Sequence, residues 1–217
     1  MIVTIDGPAG AGKSSVARQL ARRLGFQFLD TGAMYRAVAL AALQAGLGDG
    51  DADQIAELAG RLKIEFQADR VLLDGQDVTQ AIRTSDVAAA VHLAADNPRV
   101  RARLVELQRQ IAGGQDTVTE GRDQGTVAFP SAECKIFLTA TPQERARRRH
   151  AELAARGETI SLEEVLAQQT ERDRRDAIRP VGALVQAADA IEVLTDGLTA
   201  EQVVDRLEEI VRQCQRP

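Results

Sequence analysis

The sequence predicts a three-layer α/β fold in which a five-stranded parallel sheet lies between helices. Three observations support this class. Short apolar segments alternate with segments of helical periodicity along most of the 217 residues, which is typical of a parallel sheet covered on both faces. The first apolar segment runs directly into a glycine-rich turn. The composition is that of a globular protein, with 44% hydrophobic and 27% charged residues.

The strand candidates are short runs rich in β-branched and aromatic residues. They are residues 2–5, 26–29, 117–119, 135–138 and 191–194. The helix after the first strand is predicted over residues 14–24, because Val16, Leu20 and Leu24 recur at helical spacing and Gly25 follows as a stop. Three later helix starts carry capping-box patterns, in which a hydroxyl residue precedes Glu or Gln by three positions: Thr141 with Glu144, Ser161 with Glu164, and Thr199 with Gln202.

The glycine-rich turn fits the pattern G-x-x-x-x-G-K-[ST] of a phosphate-binding loop, or P-loop. A strand before it and a helix after it are the context in which successive N–H groups surround a phosphate. Lys13 is expected to reach the outer phosphates of ATP, and the Ser14 hydroxyl to ligate Mg²⁺. Asp6, just before the loop, is expected to brace it through hydrogen bonds. The predicted ATP-binding residues are Gly7, Pro8, Ala9, Gly10, Ala11, Gly12, Lys13, Ser14 and Ser15.

Two stretches interrupt the strand–helix alternation and are predicted to handle the substrate. Residues 31–95 include a hairpin-like piece, with strands at 63–66 and 71–73 and a turn at 68–70. Residues 145–179 form an arginine-rich helix pair broken at 156–158, whose sparse apolar content predicts a mobile lid. The core then comprises 1–30, 96–144 and 180–217.

Composition limits the possible partners and location of the protein. The formal net charge of −5 argues against a dedicated nucleic-acid-binding surface, and the apolar stretches are too short to span a membrane. Asp6 interrupts the first apolar run, which is unlike a signal peptide. Cys134 and Cys214 fit two unpaired thiols in a reducing compartment. We therefore expect a cytoplasmic monomer whose partners are small-molecule nucleotides.

Four further motifs accompany the P-loop, and together they carry a family resemblance. They are Asp30-Thr31-Gly32-Ala33-Met34-Tyr35-Arg36, Pro98-Arg99-Val100-Arg101, Glu120-Gly121-Arg122-Asp123-Gln124-Gly125-Thr126 and Arg172-Asp173-Arg174-Arg175-Asp176-Ala177-Ile178-Arg179. With Thr4-Ile5-Asp6-Gly7-Pro8 and Phe129-Pro130, they make the chain closely resemble the bacterial cytidylate kinases of the nucleoside-monophosphate kinase superfamily. The resemblance covers essentially the whole chain.

The resemblance implies transfer of the γ-phosphoryl group of ATP to CMP and dCMP with Mg²⁺, and it makes residues 31–95 the nucleoside-monophosphate-binding insertion. It places Arg36 and Arg122 at the acceptor phosphate. It places Thr31, Arg101, Asp123 and Arg179 around the cytosine, and Arg172 and Asp176 around the sugar. Tyr35 is expected to pack against the nucleotide, with covering of the core as the alternative. The expected catalytic residues are Lys13, Arg36, Arg122 and the lid residues Arg148 and Arg175, and the alternative for the two lid residues is membership of surface ion pairs.

Three positions depart from the family pattern. Glu120 stands where the family usually has Asp, so a carboxylate that helps to hold Mg²⁺ through water is one methylene longer here. Thr31 replaces a common serine and keeps the hydroxyl group. His92 stands where a family member can carry a serine near the sugar, which leaves the choice between CMP and dCMP open.

Other functions remain open on the sequence. A related kinase could act on UMP, AMP or a non-nucleotide alcohol. A GTP-dependent switch protein would carry an N-K-x-D-like motif, and the sole asparagine, Asn97, lacks that context. An RNA-binding protein could use the arginine-rich segment, and its binding would depend strongly on salt.

Overall fold

The computed structural model describes residues 1–67, 69–155 and 157–215; Ala68 in the predicted hairpin turn and Arg156 in the predicted lid break lie outside them. The strands are β1 (Ile2–Asp6), β2 (Gln27–Asp30), β3 (Ile64–Gln67), β4 (Arg70–Leu73), β5 (Gln76–Asp77), β6 (Thr117–Gly121), β7 (Cys134–Thr139) and β8 (Ile191–Leu194). The α-helices are α1 (Lys13–Leu24), α2 (Thr31–Gln44), α3 (Ala52–Arg61), α4 (Ser85–Ala90), α5 (His92–Ala95), α6 (Pro98–Ala112), α7 (Pro142–Ala155), α8 (Leu162–Ile178) and α9 (Ala200–Cys214).

The chain forms two compact units, Met1–Leu29 with Ala112–Pro217 and, separately, Asp30–Ile111. The first unit contains the large sheet, the P-loop and the arginine-rich helices. The second contains the predicted insertion together with most of α6. The predicted division into core, insertion and lid follows sequence motifs and stays a prediction.

The large sheet has the strand order β2–β6–β1–β7–β8, and β1 pairs in parallel with both β6 and β7. This confirms the predicted five-stranded parallel sheet. A crossover is needed between parallel strands, and the helices that supply it bury both faces of the sheet. The main core joins the sheet to α1 and α9, with its largest fully buried side chains at Ile5, Leu20, Ile136, Leu138 and Leu207.

Parallel pairing brings the carboxyl ends of the strands to one edge of the sheet. Ile5 is paired with Glu120, and Asp6 with Gly121 and Phe137. The loops that follow β1 and β6 therefore start side by side. Ligands of open α/β sheets bind at this edge.

The helix ends follow the predicted signals with one exception. Gly25 ends α1 with φ 70°, and both Ser161 and Thr199 make complete capping boxes. At Thr141 only one of the two hydrogen bonds of the predicted capping box forms, so the prediction is wrong for the bond from the Thr141 N–H to the Glu144 side chain. The Thr141 hydroxyl accepts from the Glu144 N–H at 3.3 Å, but the Thr141 N–H donates to Asp196 at 3.0 Å. Thus a carboxylate distant in sequence takes the place of the Glu144 side chain.

In the second unit, β3 and β4 pair antiparallel, which confirms the predicted hairpin. A third strand, β5, follows through Asp74 and Gly75, whose φ values of 50° and 82° are those of a tight hairpin turn. The sequence did not predict this third strand, because β5 spans only two residues.

Candidate active site

The P-loop joins β1 to α1, and its glycines are required by both conformation and space. Gly7, Gly10 and Gly12 have φ values of 149°, 78° and 84°. A Cβ atom on Gly7 would stand 1.9 Å from the Leu138 carbonyl oxygen. One on Gly10 would stand 2.6 Å from Nε2 of Gln169. The loop can therefore lie close to β7 and α8 only because these side chains are absent.

Lys13 is the first residue of α1, and its side chain is buried. Its Nζ donates to the carbonyl oxygens of Gly7 and Pro8, both at 2.7 Å. Burial, together with repulsion from Arg122, lowers the pKa of Lys13 to about 7. A bound polyanion would favour the charged form, so the site is suited to a phosphate chain. The next serine, Ser15, is exposed and donates to the Gly12 carbonyl at 2.8 Å.

Ser14 lies opposite the carboxylate at the end of β6. Its hydroxyl donates to Oε1 of Glu120 at 2.8 Å, and Glu120 is buried. Throughout residues 1–67, 69–155 and 157–215, no three or more His, Cys, Asp or Glu side chains are grouped to hold a metal ion. One hydroxyl and one carboxylate nevertheless fit Mg²⁺, which takes its other ligands from phosphates and water.

Asp6 binds the turn that follows β6. The sequence predicts that it braces the P-loop, whereas its two carboxylate oxygens accept from the N–H groups of Gln124 and Gly125 at 2.8 and 2.7 Å. This turn is a single π-helical turn, Gln124–Ala128, closed by a 2.7 Å bond from Phe129 N–H to Gln124 O. Burial raises the pKa of Asp6 to about 6. π-Turns of this kind are frequent at functional sites.

Several predicted acceptor residues of the first unit lie together around Asp176. Nε of Arg122 donates to one oxygen of Asp176 at 2.7 Å, and Nη2 of Arg179 donates to the other at 2.6 Å. Burial opposes ionisation of Asp176, but the guanidinium groups of Arg122 and Arg179 outweigh it and hold its pKa below the usual range. Arg172 lies one turn earlier on α8, and Asp123 is buried immediately before the π-turn. The carboxylate thus holds two guanidinium groups in fixed positions.

In the second unit, the start of α2 organises two of the predicted acceptor residues. Asp30 caps this helix by accepting from the Ala33 N–H at 2.8 Å, and Arg36 lies 3.4 Å from the same carboxylate. Thr31 is buried at the first helical position. The helix end and the guanidinium group both favour an anion at this point.

Tyr35 and Arg101 form a second contact within that unit. The Arg101 guanidinium lies over the Tyr35 ring, 5.3 Å from its centre, and Nη1 donates to the Ala95 carbonyl at 3.0 Å. Both side chains are buried. His92 is partly exposed; its ring nitrogens contact the Ala89 carbonyl and Asp49 at 2.7 and 2.8 Å. Through these contacts His92 joins the end of α4 to the loop before α3.

The two predicted lid arginines make ion pairs along their own helices. Arg148 binds Glu144 at 2.9 Å and also donates to the carbonyl and hydroxyl of Thr195 at 2.7 and 3.0 Å. Arg175 lies 3.6 Å from Glu171 and is 48% exposed. A catalytic role for either stays a prediction, and Arg148 would have to leave Thr195 to perform it.

Sequence reasoning missed Arg145. This side chain is almost fully buried and donates to the Ala9 carbonyl of the P-loop at 2.9 Å and to Asp173 at 2.6 Å. It stands in a run of arginines, and nothing in the run distinguishes it from its exposed neighbours. Only the fold shows that it turns towards the loop.

Comparisons with known proteins place these features in context. The family model described as cytidylate kinase matches residues 3–213. The chain is 53% identical to a cytidylate kinase of Rhodopirellula baltica, over 99% of this chain and 93% of that protein. It is 52% identical to a cytidylate kinase of Pelotomaculum thermopropionicum, over 93% and 92%. A bifunctional pantoate ligase/cytidylate kinase of Synechococcus sp. CC9311 matches at 47%, over 98% of this chain and 44% of that protein.

Solved structures with lower sequence identity share the fold. A shikimate kinase from Bacteroides thetaiotaomicron has a TM-score of 0.51 at 14% identity, covering 98% of each chain. An uncharacterized protein from Eubacterium ventriosum has a TM-score of 0.53 at 12% identity, covering 100% of this chain and 99% of that one. None of the helices in the described part of the chain has the length and hydropathy needed to cross a membrane.

Proposed function

The chain belongs to the cytidylate kinase family, and we propose that it transfers the γ-phosphoryl group of ATP to CMP, giving ADP and CDP. One observation carries the proposal: a complete P-loop, with Lys13 and Ser14 at the start of α1, stands in a chain that matches the family over residues 3–213. Transfer to dCMP is the finer part of the proposal.

On the donor side, the P-loop amides and the amino-terminal end of α1 would hold the phosphate chain. Lys13 would exchange its bonds to the loop carbonyls for bonds to the outer phosphates. Ser14 would ligate Mg²⁺ directly, and Glu120 through water. When bound, Mg²⁺ would neutralise the negative charge that spreads over the phosphates during transfer. The longer Glu120 side chain is already held by the Ser14 hydroxyl at 2.8 Å.

On the acceptor side, Arg122 is proposed to grip the CMP phosphate while Asp176 holds its Nε. Because Asp176 occupies Nε, both terminal nitrogens of the guanidinium group keep donors for phosphate oxygens. The acceptor is already an anion at neutral pH, so no general base is required. Catalysis then consists of alignment and neutralisation of charge. Arg36 is proposed to act on the same phosphate.

Base recognition is proposed to rest on complementary donors and acceptors. Cytosine presents an amine beside a ring nitrogen that accepts, so Asp123 or the Thr31 hydroxyl would accept from the amine and Arg101 would donate to the ring. Uracil would direct an N–H at the same guanidinium group. Tyr35 and Arg179 are proposed to pack around the base, and Arg172 and Asp176 around the sugar.

A coupled assay that offers ATP with CMP, dCMP, UMP, AMP and shikimate in parallel tests the proposal. We expect rapid turnover with CMP and dCMP, and little with the other three. Equal rates with UMP and CMP would contradict the proposed cytosine pocket and favour the alternative of a kinase that accepts a wider range of acceptor nucleotides. Turnover with none of the nucleotides would contradict the function itself. Lys13→Met serves as the inactive control.

We also propose that the protein acts as a cytoplasmic monomer on free nucleotides. Support comes from the net charge of −5 and from the two cysteines, which are free thiols. Light scattering on a size-exclusion column measures the mass in solution. A dimer, or salt-dependent retention of oligonucleotides, would contradict this part of the proposal.

A further inference from the structure

We propose that Arg145 is a positioning residue that holds the main chain of the P-loop and couples the loop to helix α8. The inference deepens the proposed phosphoryl transfer and rests on it. Arg145 is the fourth residue of α7, with 6% of its side chain exposed. It does not need to touch either nucleotide, because its effect passes through the loop.

A single guanidinium group joins three parts of the fold. Nη1 of Arg145 donates both to the carbonyl oxygen of Ala9 at 2.9 Å and to Oδ2 of Asp173 at 2.6 Å. Nε donates to the carbonyl oxygen of Ala140, at the end of β7, at 3.1 Å. A buried positive charge needs a partner of opposite charge, and Asp173 supplies it. Because the donor is a charged guanidinium group, its hydrogen bond to the Ala9 carbonyl is charge-assisted and stronger than a bond between neutral groups.

The geometry of the peptide bond makes this contact relevant to phosphate binding. Ala9 C=O and Gly10 N–H belong to one planar trans peptide unit, so they point in opposite directions. Holding the carbonyl towards α7 aims the Gly10 N–H away from α7. Gly10 has φ 78°, a conformation that glycine adopts readily, so the direction of its N–H is set by what holds this peptide unit. Arg145 thereby orients one of the amides that hold the ATP phosphates.

A second side chain of α8 supports the same stretch of loop. Gln169 lies one turn before Asp173, and its Nε2 donates to the Arg145 carbonyl at 3.3 Å. That nitrogen is also the atom 2.6 Å from where a Cβ of Gly10 would stand. We call Arg145, Gln169 and Asp173 the loop clamp. Since two of its members belong to α8, a shift of this helix changes the loop and, reciprocally, ATP binding biases the position of α8.

The first test compares ATP and CMP kinetics in Arg145→Met and Arg145→Lys. Methionine removes the three bonds that the Arg145 side chain donates and leaves the Gln169 bond to the main-chain carbonyl of residue 145, while lysine keeps the charge but cannot bridge the acceptors in the same geometry. We expect KM for ATP to rise by about tenfold or more in Arg145→Met, less in Arg145→Lys, and KM for CMP to stay within about twofold. Arg147→Met, at an exposed position of the same helix, should match the wild type.

The second test is a double-mutant cycle with Asp173. Because Arg145 and Asp173 act as one unit, Arg145→Met in an Asp173→Ala background should cost much less than it does alone. Asp173→Asn replaces Asp173→Ala if the latter fails to fold, and Arg145→Lys likewise replaces Arg145→Met. A merely structural role would raise both KM values together or lower thermal stability without a preference for ATP.

Direct titration with a fluorescent ATP analogue separates this inference from the proposed function. If the wild type fails to phosphorylate CMP, the function is wrong, and the affinity for the analogue still tests the clamp. Analogue affinity that is unchanged in both Arg145 variants would overturn the inference. So would additive losses in the cycle, or equal losses for ATP and CMP.

Discussion

At the scale of single residues, Asp6 shows how burial and hydrogen bonding oppose each other. Its carboxylate accepts two main-chain N–H bonds, which favour the charged form, yet burial is the larger effect and raises its pKa to about 6. An acid with a raised pKa in the folded state makes its full contribution to stability below the unfolded pKa of about 4. It loses this contribution as the pH rises through about 6.

The pH dependence of Asp6→Asn tests this balance. The free energy of unfolding of the wild type, relative to the variant, should fall by about 2–2.5 kcal/mol between pH 4 and pH 7, because the pKa of Asp6 is raised by about two units. Asparagine has one acceptor oxygen fewer than aspartate, which lowers the free energy of unfolding by an amount that does not depend on pH. The slope of the difference against pH therefore reports the raised pKa of Asp6. Urea unfolding at several pH values measures it, and a constant difference would contradict the prediction.

Arg101 offers a residue-scale test of base recognition. Arg101→Met removes the donor proposed to face the cytosine ring, so the preference for CMP over UMP should fall by about tenfold, while KM for ATP changes by less than about twofold. Steady-state kinetics with both acceptors measure this. Arg99→Met is the matched control, because Arg99 lies on the same helix but is 62% exposed and pairs with Asp53.

A tenfold loss of affinity for ATP in Arg101→Met would show that this residue serves the donor instead. Its burial against Tyr35 means that the variant also loses packing. Thermal unfolding of the variant therefore accompanies the kinetics, so that a loss of folded enzyme is not taken for a loss of selectivity.

At the scale of elements, the junction of β1, the P-loop and β7 depends on a missing side chain. Gly7→Ala would place a methyl group 1.9 Å from the Leu138 carbonyl oxygen at φ 149°, so β7 or the loop must move. We expect the free energy of unfolding to fall by about 2–4 kcal/mol and ATP binding to weaken. Denaturant unfolding and ATP titration measure the two effects.

Gly60→Ala is the control for Gly7→Ala. Gly60 lies in α3 with no atom within 4 Å of an added Cβ, so alanine should stabilise the helix by about 0.5–1 kcal/mol. Equal effects of the two substitutions would show that the close approach of the loop to β7 carries no strain.

The helix starts show how far local patterns determine an element. Ser161 and Thr199 make the predicted boxes because all the partners lie within one turn of helix. At Thr141 the same pattern yields only one of the two bonds, because Asp196 reaches its N–H and Arg148 takes Glu144. A competing partner 55 residues away in sequence is invisible to a four-residue pattern.

At the scale of the whole molecule, the arginine-rich helices are predicted to close over bound nucleotides. Their own apolar cluster is small, with Ala146, Leu153 and Val165 as its buried members. Because these helices have few buried apolar contacts, the free energy needed to open them locally is expected to be low. Closure would also exclude water, which could otherwise hydrolyse ATP.

Hydrogen exchange with a bisubstrate analogue that joins ATP to CMP tests this closure. We expect slower exchange across α8, while α9, packed in the main core, changes little. X-ray scattering with the same analogue should show a more compact particle. An unchanged scattering profile together with unchanged exchange in α8 would contradict a moving lid.

The strand segments, the P-loop, the hairpin and most helix ends could be predicted from the amino-acid sequence, because each depends on residues close together in the chain. The parallel sheet pairs strands that are far apart in sequence and was predicted from the alternation of strands and helices. Periodicity, glycine positions and capping pairs are local properties. The family motifs added the proposed acceptor residues, of which Arg122, Asp176 and Arg179 are in direct contact within the first unit.

Contacts between groups that are distant in sequence follow from the packing of the folded chain and have no local sequence signal. Asp6 binds N–H groups 118 and 119 residues away, and Arg145 binds a carbonyl 136 residues away. Burial turns these meetings into specific chemistry, because a charge removed from water must find a partner wherever the fold brings one. A run of arginines predicts an anionic partner for the segment, whereas the packing of α7 and α8 turns Arg145 towards the Ala9 carbonyl of the P-loop.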